Sequence, residues 1–75
     1  MNFRQKMFRG YVMSMVREDR RDEAERVLAE GFARQDEGTF DAAYLESMSP
    51  TYLALVKEEH VSKLKDAMAQ FSSRL

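Results

Sequence analysis

His60 is the side chain in this sequence best suited to chemistry near neutral pH, because an imidazole ordinarily titrates there. It is the only histidine of the chain. Catalysis would need a second group within hydrogen-bond reach, and metal binding would need further ligands at helical spacing. One helical turn away on either side lie Val56 and Leu64, which supply neither. We interpret His60 as a histidine at the boundary of the core, bonded to a neighbour or to water. A pH-sensitive group at a helix interface is the alternative.

The acidic segment 35–41 (QDEGTFD) has the glycine and carboxylates that a calcium-binding loop of the EF-hand type requires near its centre. Aligning Gly38 with the loop glycine puts Ala33 at the first ligand position and Tyr44 at the position of the bidentate glutamate. Neither of these side chains carries a carboxylate. We therefore expect no calcium site in this segment.

Other signatures of catalysis are missing from the sequence. The absence of cysteine excludes disulfides, thiolate zinc ligands and cysteine nucleophiles. No HExxH, P-loop, GxGxxG or GxSxG motif occurs. A chain of 75 residues can enclose little of a ligand pocket of ~300 Å³ by itself. We expect a protein that is not an enzyme, with no catalytic residue, no cofactor and no metal site.

Basic residues are concentrated at the N-terminus. Residues 1–17 carry four basic side chains and no acidic one, whereas residues 18–48 carry four basic and ten acidic ones. A basic amphipathic segment is typical of nucleic-acid contacts, of membrane-surface helices and of transit peptides. The whole chain has a formal charge of −1, and the basic face is narrow, without interleaved exposed aromatic residues. We therefore favour a core helix whose basic edge complements the acidic residues of 18–48. The candidate nucleic-acid contacts of the alternative are Arg4, Lys6, Arg9 and Arg17.

Helix-breaking residues are rare: the chain has three glycines and one proline. Alanine, glutamate, arginine, leucine and methionine are frequent, which favours helix almost throughout. We predict an all-α single domain over 1–75, a small bundle of three to four helices at about 2–17, 21–35, 40–48 and 50–73. A faint likeness of 22–24 to 41–43 has a spacing that fits no common helical repeat, so no repeat is predicted.

Local signals suggest where these helices begin and end. Gly38 is expected just beyond the second helix in a left-handed conformation, and Thr39 is expected to cap the third. Ser49 followed by Pro50 predicts the start of the last helix. The charged segment 18–23 follows the first helix. It favours a short turn with Asp19 as N-cap over one continuous helix.

The terminal helices have more apolar surface than a chain of this size is expected to bury. At 100° per residue, the apolar arc of the first helix spans ~220°. We expect a homodimer that closes a four-helix-like core across a two-fold axis. Met13 and Leu55 lie off the apolar stripes; each alone is an ordinary exposed apolar residue, but the set favours an interface with a second copy or a partner. Leu75 would extend the last stripe. The predicted interface residues are Phe3, Met7, Phe8, Tyr11, Val12, Met15, Leu64, Met68 and Phe71.

These expectations favour a small non-catalytic protein that acts through protein–protein interaction, as a regulatory or adaptor module in the cytoplasm. Its expected partners are a second copy of the chain and another protein. No apolar run approaches the ~20 residues of a membrane-spanning helix. The alternative function is that of a helical nucleic-acid-binding protein that uses the basic N-terminal helix.

Overall fold

Residues 1–73 are described by a computed structural model. Four α-helices form the fold, α1 (Phe3–Met13), α2 (Arg21–Glu37), α3 (Ala42–Leu55) and α4 (Val61–Ser72), and three-residue 3₁₀ turns precede α2 and α4. The predicted all-α architecture is confirmed, and the only β pairing within these residues is one isolated bridge. The expectation for Leu75 lies outside the described residues.

That bridge joins two helix–turn–helix units, α1–α2 and α3–α4. Val16 in the first connection pairs antiparallel with Val56 in the second. Its two backbone hydrogen bonds are reciprocal and both measure 2.9 Å: Arg17 N–H to the Leu55 carbonyl, and Lys57 N–H to the Met15 carbonyl. Because each partner gives and receives the same bond, a local two-fold relates the two connections.

The segments around this bridge form an internal structural repeat with an offset of 40 residues, the distance from Val16 to Val56. The backbone after each valine is nearly identical: Arg17 has φ −62° and ψ 141°, and Lys57 has φ −61° and ψ 144°. A 3₁₀ turn and a helix follow in both units. Burial keeps the same register, with both members buried in the pairs Val12 and Tyr52, Met15 and Leu55, Ala24 and Leu64, and Leu28 and Met68.

The boundary predicted at Ser49 and Pro50 is wrong, because α3 runs through both residues. Proline in a helix interior removes one backbone donor. In the turn before Pro50, the Ser49 hydroxyl donates a hydrogen bond to the backbone carbonyl of Leu45 at 3.0 Å, which adds a side-chain bond to this part of the helix. The chain leaves the helix only at Val56, where the bridge to the first unit replaces helical hydrogen bonding.

Gly38 ends α2 as predicted, with φ 76°. The N–H groups of Gly38 and Thr39 bond to two carbonyls of the last turn, the pattern of a Schellman motif. Thr39 does not cap the next helix. Asp41 does so, since its side chain accepts the Tyr44 N–H at 2.8 Å; this carboxylate adds the favourable charge that a helix N-terminus attracts.

The first helix is shorter than predicted: α1 ends at Met13, and the chain reaches the bridge instead of continuing to Arg17. The charged segment is a turn, as predicted, but Asp19 caps nothing, because α2 starts after Arg20 without a side-chain cap. His60 lies in the 3₁₀ turn before α4 and not in the middle of a helix.

The core is closed within one chain. Met13 and Leu55, which the helical stripes put at off-core positions, are only 6% and 2% exposed. Both lie where a helix ends and the connection turns inward to the bridge, which draws these side chains into the core. The four-helix arrangement expected from two copies is formed by the two units of the repeat. The homodimer itself stays a prediction.

Candidate protein-interaction surface

The N-terminus of α1 is fastened to the C-terminal part of α2 by a buried glutamine. Gln5 is 4% exposed and forms a capping box with Asn2, in which each side chain accepts the other residue's backbone N–H at 2.8 and 3.1 Å. The Gln5 amide nitrogen also donates to Gln35 Oε1 at 2.9 Å and to Asp36 Oδ1 at 3.3 Å. A buried amide with all these partners fixes both the position and the rotation of the helix start.

An ion pair links the middle of α1 to α2. The Arg9 guanidinium pairs with the Glu25 carboxylate, with Nε donating to Oε2 at 3.3 Å. Because both side chains are about two-fifths exposed, solvent screens the pair, and its contribution to stability is below ~1 kcal/mol. The ion pair helps to orient α1, because Gln5 and Arg9 lie on the same side of this helix and both bond to residues of α2.

With this rotation, α1 exposes a stripe of large apolar side chains. Phe3 is 74% exposed, Met7 62% and Tyr11 37%. Their spacing of four residues puts them side by side along ~12 Å of helix. We call these three residues the α1 face. Exposed large apolar side chains among residues 1–73 are confined to this face and to Met1 beside it, and such clustering is typical of an interaction site.

A shallow apolar groove, which we call the α1–α4 groove, adjoins the α1 face. The rings of Phe8 and Phe71 contact each other across it, with centroids 6.2 Å apart, and both are half-buried. The two rings line a cavity of about 220 Å³ that includes Arg4, and another of about 180 Å³ that includes Tyr11 and Ala67. The exposed stripe therefore continues into a surface depression.

The four basic residues singled out in the sequence do not form one patch of free charges. Arg9 is paired with Glu25, and Arg17 Nε lies 3.6 Å from Asp19 Oδ1. These two ion pairs join basic residues of 1–17 to acidic residues of 18–48.

Arg4 and Lys6 have a different environment from the other two. Both are exposed, and neither has an ion-pair partner among residues 1–73. At 100° per residue, Arg4 lies ~20° beyond Tyr11 and Lys6 lies ~60° before Phe3 around the helix. A free positive charge therefore flanks the α1 face on each side.

The nine predicted interface residues fall into three groups. Phe3, Met7 and Tyr11 are exposed, and Phe8 and Phe71 are half-buried in the α1–α4 groove. The other four are at most 8% exposed and belong to the chain's own core: Val12, Met15, Leu64 and Met68.

Gly10 is a residue of this surface that the sequence analysis missed. It lies in the interior of α1, between Lys6 and Phe3 around the helix, and a Cβ added there would have no neighbour within 4 Å. Glycine in a helix interior costs ~0.5–1 kcal/mol relative to alanine. Packing within the chain does not explain this cost, and an open glycine leaves room for another backbone to approach closely.

A small cavity in the core shares Phe8 and Phe71 with the lining of the α1–α4 groove. Its volume is about 20 Å³, roughly the space of one water molecule. The Tyr52 hydroxyl lies 3.0 Å from the position of a Cβ on Gly31, so this glycine makes room for the ring. Burial raises the pKa of Tyr52 to about 12, and the phenol is neutral at physiological pH.

Three further findings concern metal binding, membrane crossing and similarity to known proteins. Within residues 1–73, no group of three or more potential ligand side chains could hold a metal ion. None of the described helices combines the length and the hydrophobicity needed to cross a membrane. Comparison of the chain with protein-family models, curated proteins and solved structures found no match.

Proposed function

We propose that this protein is a non-catalytic interaction module that binds another protein through the α1 face. The observation that supports the proposal is the exposure of Phe3, Met7 and Tyr11 on a helix held in one orientation by Gln5 and Arg9. Burial of a large apolar side chain is worth ~1.5–3 kcal/mol. A partner that covers the three side chains would gain several times the thermal energy.

The repeat supplies an argument that the fold does not need this stripe. At the offset of 40 residues, the counterparts of the α1 face are Ala43, Ser47 and Thr51 on α3. These are small or polar side chains in a helix of similar length. The same structural position therefore tolerates a polar surface, and large apolar residues on α1 serve something outside the chain's own core.

The repeat also provides the test. The triple variant Phe3→Ala, Met7→Ser, Tyr11→Thr transfers the outer stripe of α3 onto α1, and we call it the stripe graft. Wild type, the stripe graft and the control variant Ser47→Ala are used as baits in extracts of the native cell, after circular dichroism has established equal helicity. We expect proteins retained by wild type and by the control to be lost from the stripe graft. Retention of the same proteins by all three baits would contradict the proposal.

Nucleic-acid binding is the second candidate, and one observation favours it over the expectation from sequence. Phe3 and Tyr11 are exposed, and Arg4 lies on the same side of the helix as Tyr11, two turns before it, so aromatic rings and a free guanidinium occur on the same helix. Proteins that bind single strands combine such stacking rings with basic side chains. Titration with a fluorescent single-stranded oligonucleotide at increasing salt tests it: this function requires binding that weakens steeply with salt and on Arg4→Gln.

We favour a protein partner because Met7 lies between the two aromatic rings and because only Arg4 and Lys6 lack ion-pair partners on α1 among residues 1–73. The residues 18–48 that follow add ten acidic side chains, which repel a phosphate backbone. The homodimer and the cytoplasmic location expected from the sequence stay predictions.

A further inference from the structure

We infer that the partner segment that binds the α1 face is an acidic amphipathic helix, an inference that rests on the proposed function. It follows from three properties of the surface: the sign and position of its free charges, the shape of its apolar stripe, and the chemistry that a second copy of this chain is able to offer.

The charges select the sign of the partner. The helix α1 contains no acidic residue, and Arg4 and Lys6 lie on opposite sides of the apolar stripe. A partner that covers the stripe brings its own flanking residues beside these two cations. Carboxylates at the flanks complement both cations, whereas basic flanks would be repelled on both sides of the contact.

The shape of the surface selects a helix. The α1 face is a ridge of about two helical turns that is inclined to the helix axis, with a groove beside it lined by Phe8 and Phe71. Packing of side-chain ridges into grooves is the ordinary geometry of two helices in contact. Gly10 adds a point of close approach, since nothing in the chain lies within 4 Å of where its Cβ would be. Apolar residues at i, i+4 and i+7 of the partner match the length of the stripe.

A second copy of this chain does not have the required chemistry. Among residues 1–73, large exposed apolar side chains occur only at Met1 and on the α1 face. The exposed large apolar residues that a second copy could bring to the stripe are therefore Met1 and those of its own α1, which brings two further free cations and no acid. The acidic part of the chain, 18–48, has no exposed large apolar side chain to contribute.

The test uses two synthetic helical peptides of about 16 residues, roughly four turns, with the same leucine stripe and with either glutamate or lysine at every flanking position. Each is titrated into the ¹⁵N-labelled protein. We expect the acidic peptide to bind at least about tenfold more tightly than the basic one. The amide chemical shifts that change on peptide binding should belong mainly to α1 and to Phe71. Equal affinity of the two peptides would overturn the inference.

Matched variants sharpen the result. The double variant Arg4→Glu, Lys6→Glu should reverse the preference between the two peptides, while Lys63→Glu, Lys65→Glu makes the same charge change on exposed positions of α4 and should leave it in place. Gly10→Leu should weaken binding of the acidic peptide at least about tenfold, because the larger side chain blocks close approach of the peptide to α1. A preference that follows the total charge of the protein, and not the position of the substitution, would overturn the inference.

Three other outcomes distinguish this inference from the function on which it rests. If the stripe graft loses its native partner but the wild type has no preference for the acidic peptide, the inference fails and the proposed function stands. If sedimentation shows a wild-type dimer that the stripe graft abolishes, the occupant is a second copy and the inference is overturned. If native baits retain the same proteins with and without the graft, the proposed function fails as well.

Discussion

The helices α1 and α3 occupy equivalent positions in the internal repeat, yet their outer faces differ in chemistry. Phe3, Met7 and Tyr11 are exposed on α1, whereas small and polar side chains hold the same positions on α3. Their inner faces agree in burial: Val12 and Tyr52 are both buried. The fold thus constrains the inner face of each helix and leaves the outer face free to vary. The large apolar residues on the outer face of α1 are therefore candidates for function and not for folding.

Core substitutions at equivalent positions test how equal the two units are. Leu64 is 1% exposed and its counterpart Ala24 is 0% exposed, so the second unit fills this layer with the larger residue. We expect Leu64→Ala to lower the free energy of unfolding by ~3 kcal/mol, since it removes buried methyl groups and leaves a cavity. Urea denaturation followed by circular dichroism measures the change. A loss below about 1 kcal/mol would mean that the layer collapses around the smaller side chain.

The buried phenol of α3 gives the second unit a pH dependence that Val12 cannot give the first. Burial raises the pKa of Tyr52 to about 12 from the ordinary value of 10.0. The stability that this shift represents is fully present below pH ~10 and is lost as the pH rises toward ~12, because the unfolded state ionises first. We expect up to about 2 kcal/mol of loss over this window. Tyr52→Phe should remove this part of the slope in alkaline denaturation, and an unchanged slope would assign it to other groups.

The buried amide of α1 is the polar counterpart of an apolar residue in α3. Gln5 and Leu45 are equivalent in the repeat and both are buried. Gln5→Leu would imitate α3, but it removes the capping box and leaves Gln35 and Asp36 without their donor. We expect a loss of ~1–2 kcal/mol in the free energy of unfolding, measured by thermal and urea denaturation. A neutral result would show that water replaces the amide, and that Arg9 alone is enough to orient α1.

Much of the fold was predictable from local signals, and the parts that failed depend on distant pairing. The scarcity of glycine and proline predicted an all-α chain, and Gly38 predicted the end of α2 correctly. Ser49 and Pro50 misled because a helix start and a tolerated interior proline look alike in sequence. The bridge between Val16 and Val56 decides the true boundaries, and residues this far apart have no local signature.

The repeat was equally hidden. Of the 28 residue pairs between 5–32 and 45–72, three are identical: Val16 and Val56, Glu18 and Glu58, and Ala29 and Ala69. Backbone geometry and burial, which the two units share, do not require identical side chains. The burial of four of the nine predicted interface residues in the core has a related reason. An apolar arc of ~220° around α1 contains both core and surface, and the bonds from Gln5 and Arg9 to α2 decide which part faces outward.

The smallest expected effect concerns the position that both units fill with a poor helix former. Gly10 in α1 corresponds to Pro50 in α3, and both lie in helix interiors. Because a Cβ at Gly10 meets nothing within 4 Å, we expect Gly10→Ala to raise the free energy of unfolding by ~0.5–1 kcal/mol, measured by thermal denaturation. If Gly10 permits close approach of a partner helix, the same methyl group weakens binding of the acidic peptide while it strengthens the fold. Opposite signs of the two changes separate a functional glycine from a neutral one, for which stability would rise and binding would stay the same.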